Sequence, residues 1–435
     1  MTDSSQVPPA QSPPAQTTSR KLQIGLDVLK GVLFIALLAG IKMIVEHTPA
    51  GESIERSGYD FLQKQLSSSD PVPVVVVDLS ALDPQEFNIN GQIGSATPRK
   101  ILRELITAAT EAQARVIGVD LDFSPGPTGY MYPGDPQFFQ FCLGNKAPVV
   151  LGISRTESLT PDKWLGSKDY QALAASMIVP NDTRKMPKWI SVEKNAAHGP
   201  TLGAALAERS QQAESSLAKW LHEYQLVEQV SEKELGHDVV VGEFPVDYSP
   251  LKTLIDKTLR TANPIVVKDQ AHLLRDKIVL FGRGTLDNDG DRFSVEGFAH
   301  QVPGVYVHAS AAYTLHNARL YDLTSSSRLG IDVVLSLIVL IGVIAFRYYL
   351  GLEHHLLQIV FTVVVIVLAL ILGVAFVAQT RILWTDFILV LALLILHVPV
   401  ERKAPGAFRK IYEGAKRRIQ AAQASVAQKG RNESK

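Results

Sequence analysis

Three carboxylates stand where short apolar runs stop. Val74-Val75-Val76-Val77 ends in Asp78, and Arg115–Phe123 carries Asp120 and Asp122 near its end. A parallel sheet brings the carboxyl ends of its strands to one edge, and open α/β sheets bind their ligands there. Asp78, Asp120 and Asp122 are therefore candidate ligand-binding residues, for a cation or a polar molecule. Acids at strand ends also cap loops and following helices, and capping is the more frequent use.

The loop 282–300 adds further groups. Asp287-Asn288-Asp289-Gly290-Asp291 sets three acids at alternate positions, as calcium loops do, so Asp287, Asp289 and Asp291 are candidate metal ligands. The EF-hand pattern is not met: Arg292 stands where glycine is required and Phe298 where the bidentate glutamate belongs. A solvated turn built on Asn, Asp and Gly is the favoured reading. Arg283 follows a strand directly and can pair with Asp287 or with an anionic ligand. His308 lies one turn into a helix, where packing or capping is the favoured role and a sensory protonation role the alternative. No Gly-x-Ser-x-Gly elbow occurs, so His308 belongs to no recognisable triad. Walker loop, dinucleotide fingerprint and zinc spacing are all missing, and no cofactor is expected. Cys142, the single cysteine, sits among apolar residues as a buried, inert thiol.

The elements that position these groups follow from periodicity. Val74–Asp78 and Arg115–Phe123 read as strands. Thr97-Pro98 opens the helix between them, since Thr is a good N-cap and Pro suits the first helical position. Ile101, Leu102, Leu105 and Ile106 recur at helical spacing behind it. Strand, helix and strand make a βαβ unit with parallel strands. Further along, 149–154, 238–243 and 277–282 read as strands, and 162–177, 201–225 and 303–316 as helices. The fold class expected is an α/β domain with βαβ units and a mostly parallel sheet, joined to an α-helical transmembrane bundle.

The chain has 435 residues, 43 basic and 43 acidic side chains, and a positive mean hydropathy. It is too long for one ordinary domain and too apolar for a wholly soluble protein. Zero net charge and the lack of any matching motif exclude a nucleic-acid binder. Residues 1–21 begin with a Pro/Gln/Ser/Thr-rich disordered tail. A membrane helix is expected over 22–45, with Lys30 and Lys42 snorkelling to opposite interfaces. A cleaved signal peptide is the competing reading, and either case exports residues 46–322. Apolar runs at 329–346, 356–377 and 382–400 are each long enough to span a bilayer. Within the last, Asp386 reads as an interfacial anchor beside Arg381 and Trp384, and Glu353-His354-His355 as a headgroup-facing loop. The segment 401–435 carries roughly seven more basic than acidic residues. The positive-inside rule then puts both termini in the cytoplasm and 46–322 outside. Phe408, Ile411 with Tyr412, Ala415, Ile419 and Ala422 fall near one helix face of that segment, fit for an anionic leaflet or a docking partner.

Several pieces of 46–322 resemble, in order, the second type of CHASE domain, a sensory module of bacterial membrane receptors. Tyr59-Asp60-Phe61-Leu62 is similar to the family's entry after the first membrane helix. Val74–Asp78 and Ala114–Phe123 are similar to its signature strands, and Thr97-Pro98-Arg99 to the proline–arginine step, which adds Arg99 to the candidate ligand-binding residues. Lys277–Gly282 is similar to its late strand, and Pro303-Gly304-Val305-Tyr306-Val307-His308-Ala309 to its last helix start. The aspartate–glycine–valine–arginine turn frequent in the family does not occur between Ser154 and Thr201. The resemblance implies a multi-pass sensor in the bacterial inner membrane that often dimerises. Members often continue into a cyclase, kinase or phosphatase, and the 35 or so residues after the last apolar run are too few for one.

The function expected is therefore detection of an extracytoplasmic stimulus and its transfer to a separate cytoplasmic effector, with no enzyme in this chain. A cell-envelope scaffold or membrane-complex subunit that passes no signal is the alternative. An extracytoplasmic hydrolase is disfavoured, because no nucleophile–base pair is recognisable.

Overall fold

The computed structural model describes residues 16–46, 48–65, 72–82, 99–124, 134–154, 170, 172–191, 199–210, 232–235, 238–284, 291–295, 297–317, 320–349 and short pieces between 363 and 383. The chain divides into two compact units. One comprises residues 56–327 with 374–385, and the other comprises 1–55, 328–373 and 386–435.

The larger unit is built on a six-stranded, wholly parallel sheet. Its strands are β1 (Val74–Asp78), β2 (Val116–Asp120), β3 (Val149–Ile153), β4 (Ala174–Ser176), β9 (Leu259–Arg260) and β10 (Ile278–Gly282), in the order β4-β3-β2-β10-β1-β9. β1, β2, β3 and β10 are apolar at nearly every position because both faces of the sheet are covered. On one face Val77, Ile117, Val119 and Phe281 pack against Leu102, Leu105 and Ile106 of α3 (Arg99–Glu111) and Phe139 of α4 (Asp135–Leu143). On the other, Val74, Val76, Val116 and Leu280 meet Leu202 and Leu206 of α5 (Leu202–Arg209) and Val305 and Tyr313 of α9 (Gly304–Asn317). The close approach of α5 to α9 needs Gly203, where an added Cβ would fall 2.7 Å from Ala311 Cβ.

A second, antiparallel sheet has the order β6-β5-β8-β7, from β5 (Lys185–Ser191), β6 (Gly199–Pro200), β7 (Glu232–Leu235) and β8 (Asp238–Pro245). The short helices α6 (Leu251–Asp256), α7 (Pro264–Asp269) and α8 (Ala271–Leu274) lead from β8 back towards β10. Asn263 caps α7 by accepting a hydrogen bond from Ile265 N, 2.9 Å.

Two expectations change. Residues 162–177 read as a helix, but Ala174–Ser176 is strand β4, and 162–169 lie outside the described residues. β3 offers an open edge, and pairing with it overrides the helix propensity of two alanines. Within 201–225 the described helix is α5, capped at Ser210, and the remainder lies outside the described residues. β1 and β2 are parallel and share a sheet as expected, but β10 separates them.

The smaller unit contains α1 (Gln16–Glu46), which covers the expected helix 22–45, the first turns of α2 (Pro49–Gln65) and most of α10 (Ser325–Tyr349), which covers 329–346. Lys42 forms a buried ion pair with Asp332, and a Cβ on Gly31 would fall 2.4 Å from the Leu340 side chain. These two contacts make α1 and α10 antiparallel neighbours. Among the described residues no single helix is long and apolar enough to establish a membrane crossing. The bent pair Gly31–Val45 and Pro49–Tyr59, 91° apart, passes by length and composition only when taken together. Ile382–Leu383, the start of the last apolar run, forms β12 and pairs with β11 (Tyr321–Asp322). Residues 384–435 lie outside the described residues.

Candidate functional site

The register of the parallel sheet brings the predicted acids together. Gly282, the last residue of β10, pairs with Asp78 on one side and Asp120 on the other. A Cβ at Gly282 would fall 2.7 Å from Val305 Cγ2, so the first turn of α9 lies directly over this edge.

At one side of Gly282, Asp78 is 3 % exposed and firmly held. Its Oδ1 accepts from Ser80 N (2.9 Å), Ser80 Oγ (2.6 Å) and Gly284 N (2.7 Å). Gly284 is required here, because a Cβ would fall 2.8 Å from Asp78 Cγ and 2.9 Å from the Tyr306 hydroxyl. That hydroxyl lies 3.0 Å from Thr258 Oγ1. Burial raises the Tyr306 pKa, and of its two charged neighbours Asp78 adds to the shift while Arg260 opposes it.

Asp122 is also consumed by neighbours. Ser124 N (2.9 Å) and Ser154 N (3.0 Å) donate to its Oδ1, and Ser154 Oγ donates to Oδ2 at 2.6 Å. Partial burial alone would raise its pKa, but these hydrogen bonds outweigh it and hold the carboxyl below its usual range.

Asp120 differs. Its side chain is 8 % exposed, and among the described residues no group donates a hydrogen bond to it. Burial, reinforced by the charge of Asp291, pushes its pKa up to about 8. Asp291 Oδ2 accepts a 3.3 Å bond from Gly304 N at the start of α9, and burial raises its pKa as well. His308 Nε2 lies 3.9 Å from Asp120 Oδ1, beyond hydrogen-bond reach. Burial pulls the His308 pKa down to about 4, against an opposing hydrogen bond with the Met177 backbone. Among the described residues His308 Nδ1 has no hydrogen-bond partner. Burial thus favours the neutral form of both groups at this corner, a balance that a polar ligand or a change of pH can alter.

A comparison with known protein families matches the CHASE2 domain over residues 32–346. The chain belongs to the CHASE2 domain family. That family comprises extracellular sensory domains, and the mixed α/β architecture with a mostly parallel sheet fits such a sensor. No curated protein and no solved structure shows a significant match to the chain.

Within the CHASE2 domain the candidate residues separate. Asp78, Asp120, Asp122 and His308 share the carboxyl edge of the sheet. Arg283 follows β10 there and is half-buried. Arg99 lies at the start of α3, donates from Nε to Asp135 Oδ1 at 2.7 Å, and covers the Phe123 ring at 4.8 Å. Asp287 and Asp289 lie outside the described residues, and among the described residues no group of three or more His, Cys, Asp or Glu is arranged to hold a metal ion. Sequence spacing tied Asp291 to Asp287 and Asp289, whereas its described neighbours are Asp120 and Gly304. Sequence reasoning missed Tyr306, although it stands two residues before His308 in the motif that opens α9. It also missed Gly284 and Ser154, whose roles depend on long-range contacts with Asp78 and Asp122.

Cys142 is buried in the α3–α4 layer. Burial pushes its thiol up to about 12, with Arg99 opposing, in keeping with an inert core residue.

Proposed function

We propose that this chain is a transmembrane sensor whose exported CHASE2 domain detects an extracytoplasmic stimulus and passes it to a separate cytoplasmic effector. The observation that carries the reading is the CHASE2 match over 32–346, which reaches into the apolar helices at both ends of the domain. Their surface chemistry supports a bilayer as their partner. Leu33 and Leu37 on α1 are 57 % and 58 % exposed, and Ile341 on α10 is 63 % exposed. Ile371 and Leu372 continue the pattern. A row of exposed large apolar side chains marks a lipid or protein contact. The polar groups Lys42 and Asp332 are buried against each other instead, as ionisable residues in membrane helices usually are. On this reading both termini are cytoplasmic in a bacterial inner membrane, the basic segment 401–435 meets the effector, and the chain works as a homodimer without enzymatic activity of its own.

Ligand binding would shift the populations of two arrangements of the domain, which requires the ligand to favour one of them. The Asp120–Asp291–His308 corner is the proposed point of detection. Affinity capture from membranes tests the reading, comparing the full chain with a version truncated after Val400. A cytoplasmic kinase, cyclase or protease recovered only with the full chain supports signalling in trans. Identical envelope-protein partners for both would overturn it in favour of the scaffold reading. One observation favours that scaffold: Asp78, Asp122 and Arg99 each hydrogen-bond a neighbouring loop or helix, which is how a purely structural sheet edge is built.

A further inference from the structure

The far end of α9 makes a second set of contacts. Thr314 Oγ1 donates to Ser310 O (2.7 Å) and accepts from Asp247 N (2.8 Å), so the last turns of the helix hold the backbone of segment 246–248. The same segment is gripped from its other side by α2. The Tyr59 hydroxyl donates to Val246 O, Gln63 Nε2 donates to that oxygen at 3.1 Å, and Gln63 Oε1 accepts from Tyr248 N at 3.0 Å. Tyr59 and Gln63 are four apart and so share one face of α2. Val246, Tyr248, Tyr59 and Gln63 are all buried. Tyr248 is further held by its hydroxyl, which donates to Thr183 O at 2.7 Å.

One helix thus has Tyr306 and His308 over the carboxyl edge at its start and Thr314 on segment 246–248 near its end. From α2 it is Tyr59 and Gln63 that hold that segment. We propose that Tyr59 and Gln63 form the output latch of the sensor domain, with α9 as the lever that joins the Asp120–His308 corner to it. This rests on the sensor reading. The latch suits a two-state device, because Gln63 donates to and accepts from the same turn and a small movement of that turn breaks both bonds together. Released, Tyr59 and Gln63 turn to water and the helix that follows α1 is free to reorient. Held, the helix is fixed to the core of the domain.

Hydrogen–deuterium exchange on the full chain in lipid nanodiscs tests this. Gln63→Met keeps side-chain length and removes both bonds to the turn. It should speed exchange of amides 56–65 by about tenfold while the parallel sheet keeps its wild-type rates. Tyr59→Phe, which removes one hydroxyl and keeps the ring, should give a smaller increase in the same amides. Thr314→Val is the decisive variant, since among the described residues Thr314 hydrogen-bonds Ser310 and Asp247 and no residue of α2 or the carboxyl edge. It should speed exchange in 56–65 several-fold, again with the sheet unchanged. If Thr314→Val leaves 56–65 at the wild-type rate, or speeds the whole domain equally, the lever is overturned. If the exchange pattern holds while affinity capture recovers no effector, the latch stands and the signalling reading alone fails.

Discussion

Asp78 and Asp120 end strands separated by a single neighbour, and their surroundings are opposite. Three donors converge on Asp78, and a glycine is kept so that the third can reach it. Asp120, at the matching place on the next strand but one, faces another carboxyl and a neutral imidazole. One acid is built into the fold as a fastener. The other is held at an energetic disadvantage, and such groups concentrate where a protein binds or responds. A sequence of strand-terminal aspartates does not distinguish the two, because the difference lies in what the rest of the chain brings to each.

Substitution should separate them. Asp78→Ala removes three hydrogen bonds to a charged group and strands the Gly284 amide, and should cost about 3 kcal/mol. A thermal unfolding curve indistinguishable from wild type would erase the distinction. Asp120→Asn should act through pH. In the folded chain Asp120 keeps its proton up to about 8, while in the unfolded chain it loses it near 3.8. The folded state therefore binds more protons across that window, and stability falls as pH rises. His308 titrates near 4 when folded and near 6.5 when unfolded, so its contribution is lost as pH falls through the same lower range, opposing Asp120 below about 6.5. Above pH 6.5 the opposing His308 contribution fades, and towards pH 8 wild-type stability should drop by up to about 1.4 kcal/mol per pH unit. Denaturant titrations of Asp120→Asn should be flat there, and a slope equal to wild type would move the titrating group elsewhere. The smallest effect belongs to Ser154→Ala. It removes one partly solvated hydrogen bond to Asp122 and should cost about 0.5 kcal/mol, with the Asp122 amide contacts intact.

Much of the frame is legible in the sequence, for a physical reason. Strands buried on both faces carry unbroken apolar runs, so β1, β2, β3 and β10 announce themselves, as does α3 with its four apolar residues at helical spacing. β4 does not, since Ala-Ala-Ser has no strand preference and becomes a strand only because β3 offers partners. The place of β10 between β1 and β2 is equally silent, because strand order is a property of long-range packing. At the site, Asp78, Asp120, Asp122 and His308 were readable as types at strand and helix ends. That the charge of Asp291 reaches Asp120 was not, because those residues come near each other only once β2 and the segment before α9 are both in place.

The insertion of β10 also sets an order of events. It is made more than 150 residues after β2. Until it arrives, β1 and β2 each present a bare, apolar edge to the gap between them. Such edges recruit foreign strands. On the exported reading, the chain passes through a long interval during translocation in which its most aggregation-prone surfaces face each other across an empty slot. A holding chaperone on the outer side would find its natural substrate there, and the last central strand would act as the bolt that ends the need for one.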